Sequence, residues 1–216
     1  MNIWEGLVKF FQGGGTFMFP IAIVLVIGLA IAIERYIYLV TVSTRNRLLW
    51  NQIVPMLSQG NFRQVVQITS KSDSAIAQIL NYGLARIQAA RRRDDIEKAM
   101  EESLMEVTPR LEKRTHYLAT FANLATLLGL LGTVMGLINA FHAVATVNPA
   151  EKANLLSASI SVAMNCTAFG LMTAVPLLFI HAFLQTKTTE LIDSLEMASV
   201  KFLNAITERQ TAPAAA

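Results

Sequence analysis

Three long stretches of this sequence carry almost no charged residues, and they constrain the fold more than any other feature. They are residues 17–42, interrupted only by Glu34 and Arg35, residues 118–141 and residues 155–184. The hydrocarbon core of a bilayer is about 30 Å thick, so a spanning helix needs roughly 20 mainly apolar residues. We therefore predict an all-α integral membrane protein with three transmembrane helices, the first of them a retained anchor.

The basic residues are unevenly distributed around these stretches. Twelve of the 18 Lys and Arg residues lie within residues 43–114, whereas the segment before the first stretch and the link between the last two carry one each. Cytoplasmic loops of membrane proteins are enriched in Lys and Arg. We therefore expect the long loop and the C-terminal tail in the cytoplasm, and the N-terminus and the short link on the outer side.

These patterns divide the chain into seven predicted segments. They are an outer interfacial segment 1–15, a first transmembrane helix 16–42, a cytoplasmic helical loop 43–114, a second transmembrane helix 115–145, an outer loop 146–154, a third transmembrane helix 155–186 and a cytoplasmic helical tail 187–216.

The cytoplasmic segments have apolar residues at helical spacing. A helix is predicted over residues 74–90 with Asp73 as its N-cap, and a second from Asp94 that continues past a kink at Pro109 into the second span. The third span is predicted to continue as a helix through residue 206. The apolar stripes that support these helices are Ile76, Ile79, Leu80, Leu84 and Ile87, then Ile96, Met100, Leu104 and Val107, then Leu191, Leu195, Ala198 and Phe202.

The second and third spans contain small and polar residues but no Asp, Glu, Lys or Arg. Glycines let membrane helices approach closely and hydroxyls bond across them, so helix packing is the more common role for any one of these residues. The packing candidates are Gly129, Gly132, Gly136 and Gly170. Thr126 and Thr133 are seven residues apart and share one face, so the alternative is a narrow pathway lined by hydroxyls.

A hydroxyl wall cannot relay protons without a titratable group, so this alternative requires a partner helix that carries a carboxylate. The three histidines, His116, His142 and His181, are scattered and lack metal-ligand spacing, and we predict no metal or cofactor. The net charge of +3 is small and no basic run alternates with aromatic residues, so no nucleic-acid partner is expected. The sequence has no paired carboxylates and no Ser–Lys or Ser–His arrangement, so no enzyme is predicted.

Two motifs resemble signatures of the MotA/TolQ/ExbB family of proton-driven motor subunits. Residues 127–138, LLGLLGTVMGLI, are similar to the second-span signature of ExbB and TolQ proteins, and residues 167–176, TAFGLMTAVP, to the third-span signature. Ile33-Glu34-Arg35 after the first span fits as well. The resemblance implies that Thr133 and Thr167 are the two threonines of the proton pathway.

The resemblance also implies an assembly in the bacterial inner (cytoplasmic) membrane, with a periplasmic N-terminus and a cytoplasmic C-terminus. Family members form a ring, usually a homo-pentamer, around an ExbD- or TolR-like single-span subunit that bears a membrane Asp, and a TonB-like protein transmits the work. This sequence departs from the family at Thr126, where many members have Pro, and at Val162, where many have Glu. Asn165 is expected to take over part of the polar role of that Glu, so Thr126 and Asn165 join the predicted pathway.

An ExbB-like role in TonB-dependent transport is the leading hypothesis. A TolQ-like role in envelope integrity, or a gliding-motility motor, is the alternative within the family. A different class of function is a membrane scaffold that conducts no protons.

Overall fold

The computed structural model describes residues 10–11, 13–87 and 93–211, with side chains described as far as Thr207. The helices that it describes are α1 Met18–Gln59, α2 Phe62–Thr69, α3 Ala75–Ile87, α4 Arg93–Glu112, α5 Thr115–Thr146 and α6 Lys152–Thr211. Three segments, Met18–Gln59, Arg93–Thr146 and Lys152–Thr207, contain an apolar stretch long enough to cross a membrane. The predicted all-α fold with three helices that can span a membrane is therefore confirmed.

The chain divides into two compact units. The span unit consists of Met1–Glu34 and Arg114–Phe183, and the loop unit of Arg35–Lys113 and Leu184–Ala216. Helices α1 and α6 contribute residues to both units without a break in the helix. The predicted boundaries after residues 42 and 186 therefore fall inside helices, because the change from apolar to polar composition does not interrupt the backbone hydrogen bonds.

The predicted continuous helix from Pro109 into the second span is wrong. Helix α4 ends at Glu112, α5 begins at Thr115, and Arg114 between them has a φ of 65° in the left-handed region. Residues other than Gly, Asn and Asp rarely adopt this backbone conformation, so an arginine gives no sign of a helix break in the sequence. Pro109 lies inside α4.

The core of the loop unit is built from the apolar stripes that the sequence predicts. Its buried side chains include Ile76, Ile79, Leu80, Ile96, Met100, Val107, Leu191, Leu195, Ala198 and Phe202. Gly83 of α3 lies where these stripes meet, since a Cβ atom there would be 2.8 Å from Met100 Sδ and 3.4 Å from Phe202 Cε1. Helices α3, α4 and α6 therefore share one core.

The start of α3 is held by polar groups that differ from the predicted cap. The Ser74 hydroxyl accepts a hydrogen bond from the Ala77 N–H at 3.3 Å, and the buried Asn46 side chain accepts one from the Ile76 N–H at 3.3 Å. These bonds satisfy two of the four N–H groups that a helix start leaves without an intrahelical acceptor. The N-cap is therefore Ser74, one residue after the predicted Asp73.

Large apolar side chains remain exposed on the span unit of this single chain. Phe179 is 75% exposed, Phe141 and Met172 are each 65% exposed, and Leu127 is 62% exposed. Soluble monomers rarely expose contiguous apolar surface on this scale, and such surface is typical of contacts with lipid or with other helices. The span unit therefore has the surface of a membrane protein.

The predicted interfacial segment 1–15 lies mostly outside the described residues. Phe11, which is described, packs edge-on against Phe169 and Phe19, with ring centroids 5.8 Å and 5.4 Å apart. Within the span unit, the segment that precedes α1 therefore contacts helix α6.

Candidate functional site at the α5–α6 contact

Helices α5 and α6 touch backbone to backbone at Gly129 and Gly170. A Cβ atom on Gly170 would lie 2.7 Å from the Ala125 carbonyl oxygen and 3.0 Å from Gly129 Cα. A Cβ atom on Gly129 would lie 3.2 Å from Thr167 Cα and 3.3 Å from Gly170 Cα. A side chain at Gly170 would force the helices apart, and one at Gly129 would need a smaller shift, because the facing atoms are backbone and cannot rotate away.

Gly132 and Gly136 continue the same contact along α5. A Cβ atom on Gly132 would collide with Cys166 Sγ, and one on Gly136 would lie 2.8 Å from Ala163 Cβ. As the residue number rises on α5, the facing number on α6 falls, so the two helices pack antiparallel. All four glycines of the sequence prediction thus lie on the surface that α5 and α6 share.

The Thr167 side chain forms a hydrogen bond across this contact. Its hydroxyl donates a hydrogen bond to the Gly129 carbonyl at 2.8 Å. In an α-helix that carbonyl also accepts the N–H of the residue four positions later, which is Thr133. The Thr167 hydroxyl therefore reaches the backbone of α5 one helical turn before Thr133.

The hydroxyls of Thr133 and Thr126 are bonded within their own helix. Thr133 donates to the Leu130 carbonyl at 2.6 Å, and Thr126 donates to the Ala122 carbonyl at 3.1 Å. Thr126 is exposed in the single chain and Thr133 is half-buried. Both side chains lie beside the α5–α6 contact, on the same edge of α5, because seven residues make nearly two helical turns.

Asn165 lies away from these threonines. It is two residues from Thr167, which places it about 200° around the helix, and its amide donates to the Gly13 carbonyl at 3.4 Å. Val162 lies on the same side, with its Cγ1 atom 3.3 Å from the position of a Cβ on Gly15. The structure thus separates Asn165 from Thr126, Thr133 and Thr167 in the single chain.

The site contains hydroxyls and carbonyls but no charge. Residues 118–141 and 155–180 include no Asp, Glu, Lys, Arg or His. Within the described residues, no group of His, Cys, Asp and Glu has the arrangement of a metal site. The site can offer hydrogen bonds to a polar or ionisable group, but it cannot itself exchange a proton at neutral pH.

Comparison with known proteins decides the family. The model of the MotA/TolQ/ExbB proton channel family matches residues 71–197, which is more than half of the chain. The chain belongs to this family. The match includes both glycine- and threonine-containing motifs, so Gly129 and Gly170 both lie within the residues that the MotA/TolQ/ExbB family model matches.

Individual relatives agree with the family. The chain is 25% identical over 206 residues to an ExbB homolog of Methanothermobacter thermautotrophicus, covering 91% of this chain and 69% of that protein. It is 28% identical over 177 residues to the biopolymer transport protein exbB1 of Vibrio cholerae, covering 80% and 76%. It is 30% identical over 113 residues to the Tol-Pal system protein TolQ of Pseudomonas aeruginosa, covering 48% of each.

Two charged groups of this MotA/TolQ/ExbB family member are paired in a way that the sequence did not reveal. Both carboxylate oxygens of Glu34 accept hydrogen bonds from Arg114, at 2.9 and 2.8 Å. His181 of α6 binds the Thr115 carbonyl through Nδ1 at 3.0 Å, which requires a proton on that nitrogen. The sequence gives no sign of the Glu34–Arg114 pair, because the two residues are 80 positions apart.

The neighbouring arginine has a separate role in the loop unit. Arg35 is 3% exposed, donates a hydrogen bond to the Leu111 carbonyl, and lies over the Tyr38 ring at 4.6 Å. A buried guanidinium needs such partners, because desolvation of an unpaired charge is costly. Of these two consecutive residues, Glu34 therefore pairs with Arg114 in the span unit, and Arg35 bonds to Leu111 in the loop unit.

Proposed function

We propose that this chain is an ExbB-like subunit of an inner-membrane, proton-driven motor. With an ExbD-like partner it couples protonmotive force to TonB-dependent transport across the outer membrane. Membership in the MotA/TolQ/ExbB family and the names of its relatives support this role. The single observation that carries it is the Thr167 hydroxyl bound to the Gly129 carbonyl, one helical turn from Thr133, within apolar spans (residues 118–141 and 155–180) that contain no charged residue.

The proposed mechanism relies on a neutral polar site for a partner's carboxyl group. A charged residue at the bilayer centre costs about 2.5–3.5 kcal/mol on insertion scales unless it is solvated or paired. The Thr133 and Thr167 hydroxyls donate to carbonyls now, and each oxygen still has lone pairs that can accept from a protonated carboxyl. Rotation of a hydroxyl lets it donate to the carboxylate instead, so both protonation states find a partner.

The energy for work comes from the membrane potential in this mechanism. One elementary charge that crosses 100 mV releases about 2.3 kcal/mol, and repeated transfers drive a mechanical change in the partner. The chain itself forms no covalent intermediate and needs no cofactor, so the role is not enzymatic.

The assembly is proposed to be a homo-pentameric ring around the single-span partner, an ExbD- or TolR-like subunit with a membrane Asp. The exposed apolar side chains of α5 and α6 support contacts with neighbouring copies and with lipid. The excess of Lys and Arg in residues 43–114 supports a cytoplasmic loop and C-terminus, with the N-terminus in the periplasm. A TonB-like protein passes the work to the outer membrane.

The test is proton flux through the complex reconstituted in liposomes with its single-span partner and a trapped pH-sensitive dye. Thr133→Val and Thr167→Val should each lower the flux about tenfold or more, which corresponds to about 1.4 kcal/mol of lost stabilisation. Thr167→Ser keeps the hydroxyl and should retain flux. Flux close to that of the unmodified protein in both valine variants would refute the role of these threonines.

A matched control uses a threonine of α5 outside the site. Thr120 is exposed and donates to the His116 carbonyl of its own helix at 3.4 Å. Thr120→Val removes the same hydroxyl group and should leave the flux unchanged. Equal losses in Thr120→Val and Thr167→Val would point to general damage to the helices rather than to loss of a pathway.

A TolQ-like role is the second candidate, because the chain is 30% identical to TolQ over 113 residues. A gliding-motility motor remains a further candidate within the family. The periplasmic domain of the co-purified partner distinguishes these roles, since it determines which envelope protein receives the work. A scaffold that only holds a partner in the membrane predicts no proton flux from the reconstituted complex.

A further inference from the structure

The loop unit contains an apolar groove between α4 and α6. The groove has a volume of about 670 Å³ and is lined by Met100, Leu104, Met105, Pro109, Ile192 and Val200, among others. Met100 is buried and forms part of its floor, whereas Met105 is 74% exposed and Val200 is 51% exposed. Exposed apolar side chains that line one concave surface outside the apolar spans are typical of ligand-binding grooves.

The polar side chains at this groove are mainly acidic. Glu97 and Glu101 of α4 and Glu196 of α6 line it, and none of its described lining residues is basic. Among the described residues of the loop unit, the ion pairs join Arg110 to Glu106 and Lys187 to Glu190. None of the three groove glutamates takes part in a described ion pair. A ligand for this groove therefore needs both an apolar surface and positive charge.

The shape of the groove favours a helical ligand. Its lining extends from Glu97 to Pro109 on α4 and from Ile192 to Leu203 on α6. At 1.5 Å per residue, the α4 side is about 18 Å long, or more than three helical turns. An amphipathic helix binds such a groove through apolar residues at positions i, i+3 or i+4 and i+7, and methionines adapt to irregular apolar surfaces.

We propose that the α4–α6 groove binds a cationic amphipathic helix of a partner protein. The apolar face of the helix lies against Met105, Leu104 and Val200, and its Lys or Arg side chains bind Glu97, Glu101 and Glu196. Charge complementarity identifies this occupant, since an acidic or neutral helix would leave the three carboxylates without counter-charges. The proposal does not depend on proton conduction, because no residue of the α5–α6 site takes part.

The experiment uses the full-length chain in nanodiscs of phosphatidylcholine, which has no net charge and so adds no electrostatic attraction for a basic peptide, while empty nanodiscs measure binding of its apolar face to lipid. The probe is a fluorescent peptide of about 18 residues, or five helical turns, with Leu at helical spacing and Lys elsewhere. Fluorescence anisotropy should show saturable binding above the signal of empty nanodiscs. A Lys peptide of the same length without Leu should bind at least about fivefold more weakly, because it lacks the apolar face.

Two pairs of variants separate the groove from general charge and surface effects. Glu101→Gln with Glu196→Gln should weaken binding about fivefold, as loss of two exposed ion pairs implies, whereas Glu102→Gln with Glu190→Gln removes equal charge outside the groove and should have little effect. Met105→Gln should weaken binding, whereas Met197→Gln, at an exposed position outside the lining, should not.

Three results would overturn the proposal. One is equal weakening by both glutamine pairs, which would make binding a matter of net charge. The second is equal affinity for the peptides with and without Leu. The third is a lower oligomeric state of Met105→Gln in light scattering, which would show that a second copy of this chain occupies the groove.

Discussion

The contact at Gly129 and Gly170 is tight enough for one added methyl group to change stability measurably. In Gly170→Ala the new Cβ would lie 2.7 Å from the Ala125 carbonyl oxygen and 3.0 Å from Gly129 Cα, so α5 and α6 must move apart. Overpacking of this kind costs about 1–3 kcal/mol. Separation also weakens the bond from Thr167 to Gly129, worth about 0.6 kcal/mol in a membrane protein.

Part of this cost is offset, because alanine is favoured over glycine in a helix by up to about 1 kcal/mol. The net expectation is a destabilisation of about 1–2 kcal/mol, which lowers the apparent Tm by roughly 2–8 °C in a chain of this size. The assay is thermal denaturation of the purified protein in one detergent, followed by circular dichroism and by the fraction that stays soluble.

Gly83→Ala is the matched control for this prediction. Its new Cβ would meet side-chain atoms rather than backbone, Met100 Sδ at 2.8 Å and Met100 Cγ at 2.9 Å, and a methionine side chain adjusts more easily than a helix backbone. We expect Gly83→Ala to lower the apparent Tm less than Gly170→Ala does. A Tm of Gly170→Ala equal to or above that of the unmodified protein would refute the backbone-to-backbone contact.

Two further predictions concern the ends of helices. Arg114→Gly should be about 1 kcal/mol more stable than Arg114→Ala in thermal denaturation. Both variants lose the ion pair with Glu34, and only glycine adopts a φ of 65° without strain. A more stable alanine variant would contradict this prediction. Ser74→Ala should lower the free energy of unfolding by about 1 kcal/mol and speed hydrogen exchange at the Ala77 amide, whereas Asp73→Ala should change this exchange little. Faster exchange in Asp73→Ala than in Ser74→Ala would show that Asp73 is the N-cap.

Much of the loop unit follows from local pattern. Apolar residues at three- and four-residue spacing predict both the helices and their buried faces, because a helix that lies on a core needs one apolar stripe. Met100 and Phe202 are examples, since both were assigned to stripes and both are buried. The break at Arg114 could not be predicted in this way, because arginine is not a residue type that favours a left-handed backbone.

The candidate site was predictable in composition but not in arrangement. The motifs identify Gly129, Thr133 and Thr167, and antiparallel packing brings these three together. Asn165 belongs to the same polar set in the sequence, yet it binds Gly13 on the other side of α6. In a span with small and polar residues on several faces, composition does not say which face meets another helix.

By itself the sequence determined the number of helices that can span a membrane. That conclusion needs only length and hydropathy, because every backbone polar group within a bilayer must be bonded inside its own segment. Tertiary structure decided which atoms meet: the Thr167 hydroxyl with the Gly129 carbonyl, Glu34 with Arg114, and Gly170 with Gly129. Those contacts depend on how each helix is rotated, and rotation is selected by close packing between helices rather than by any local pattern.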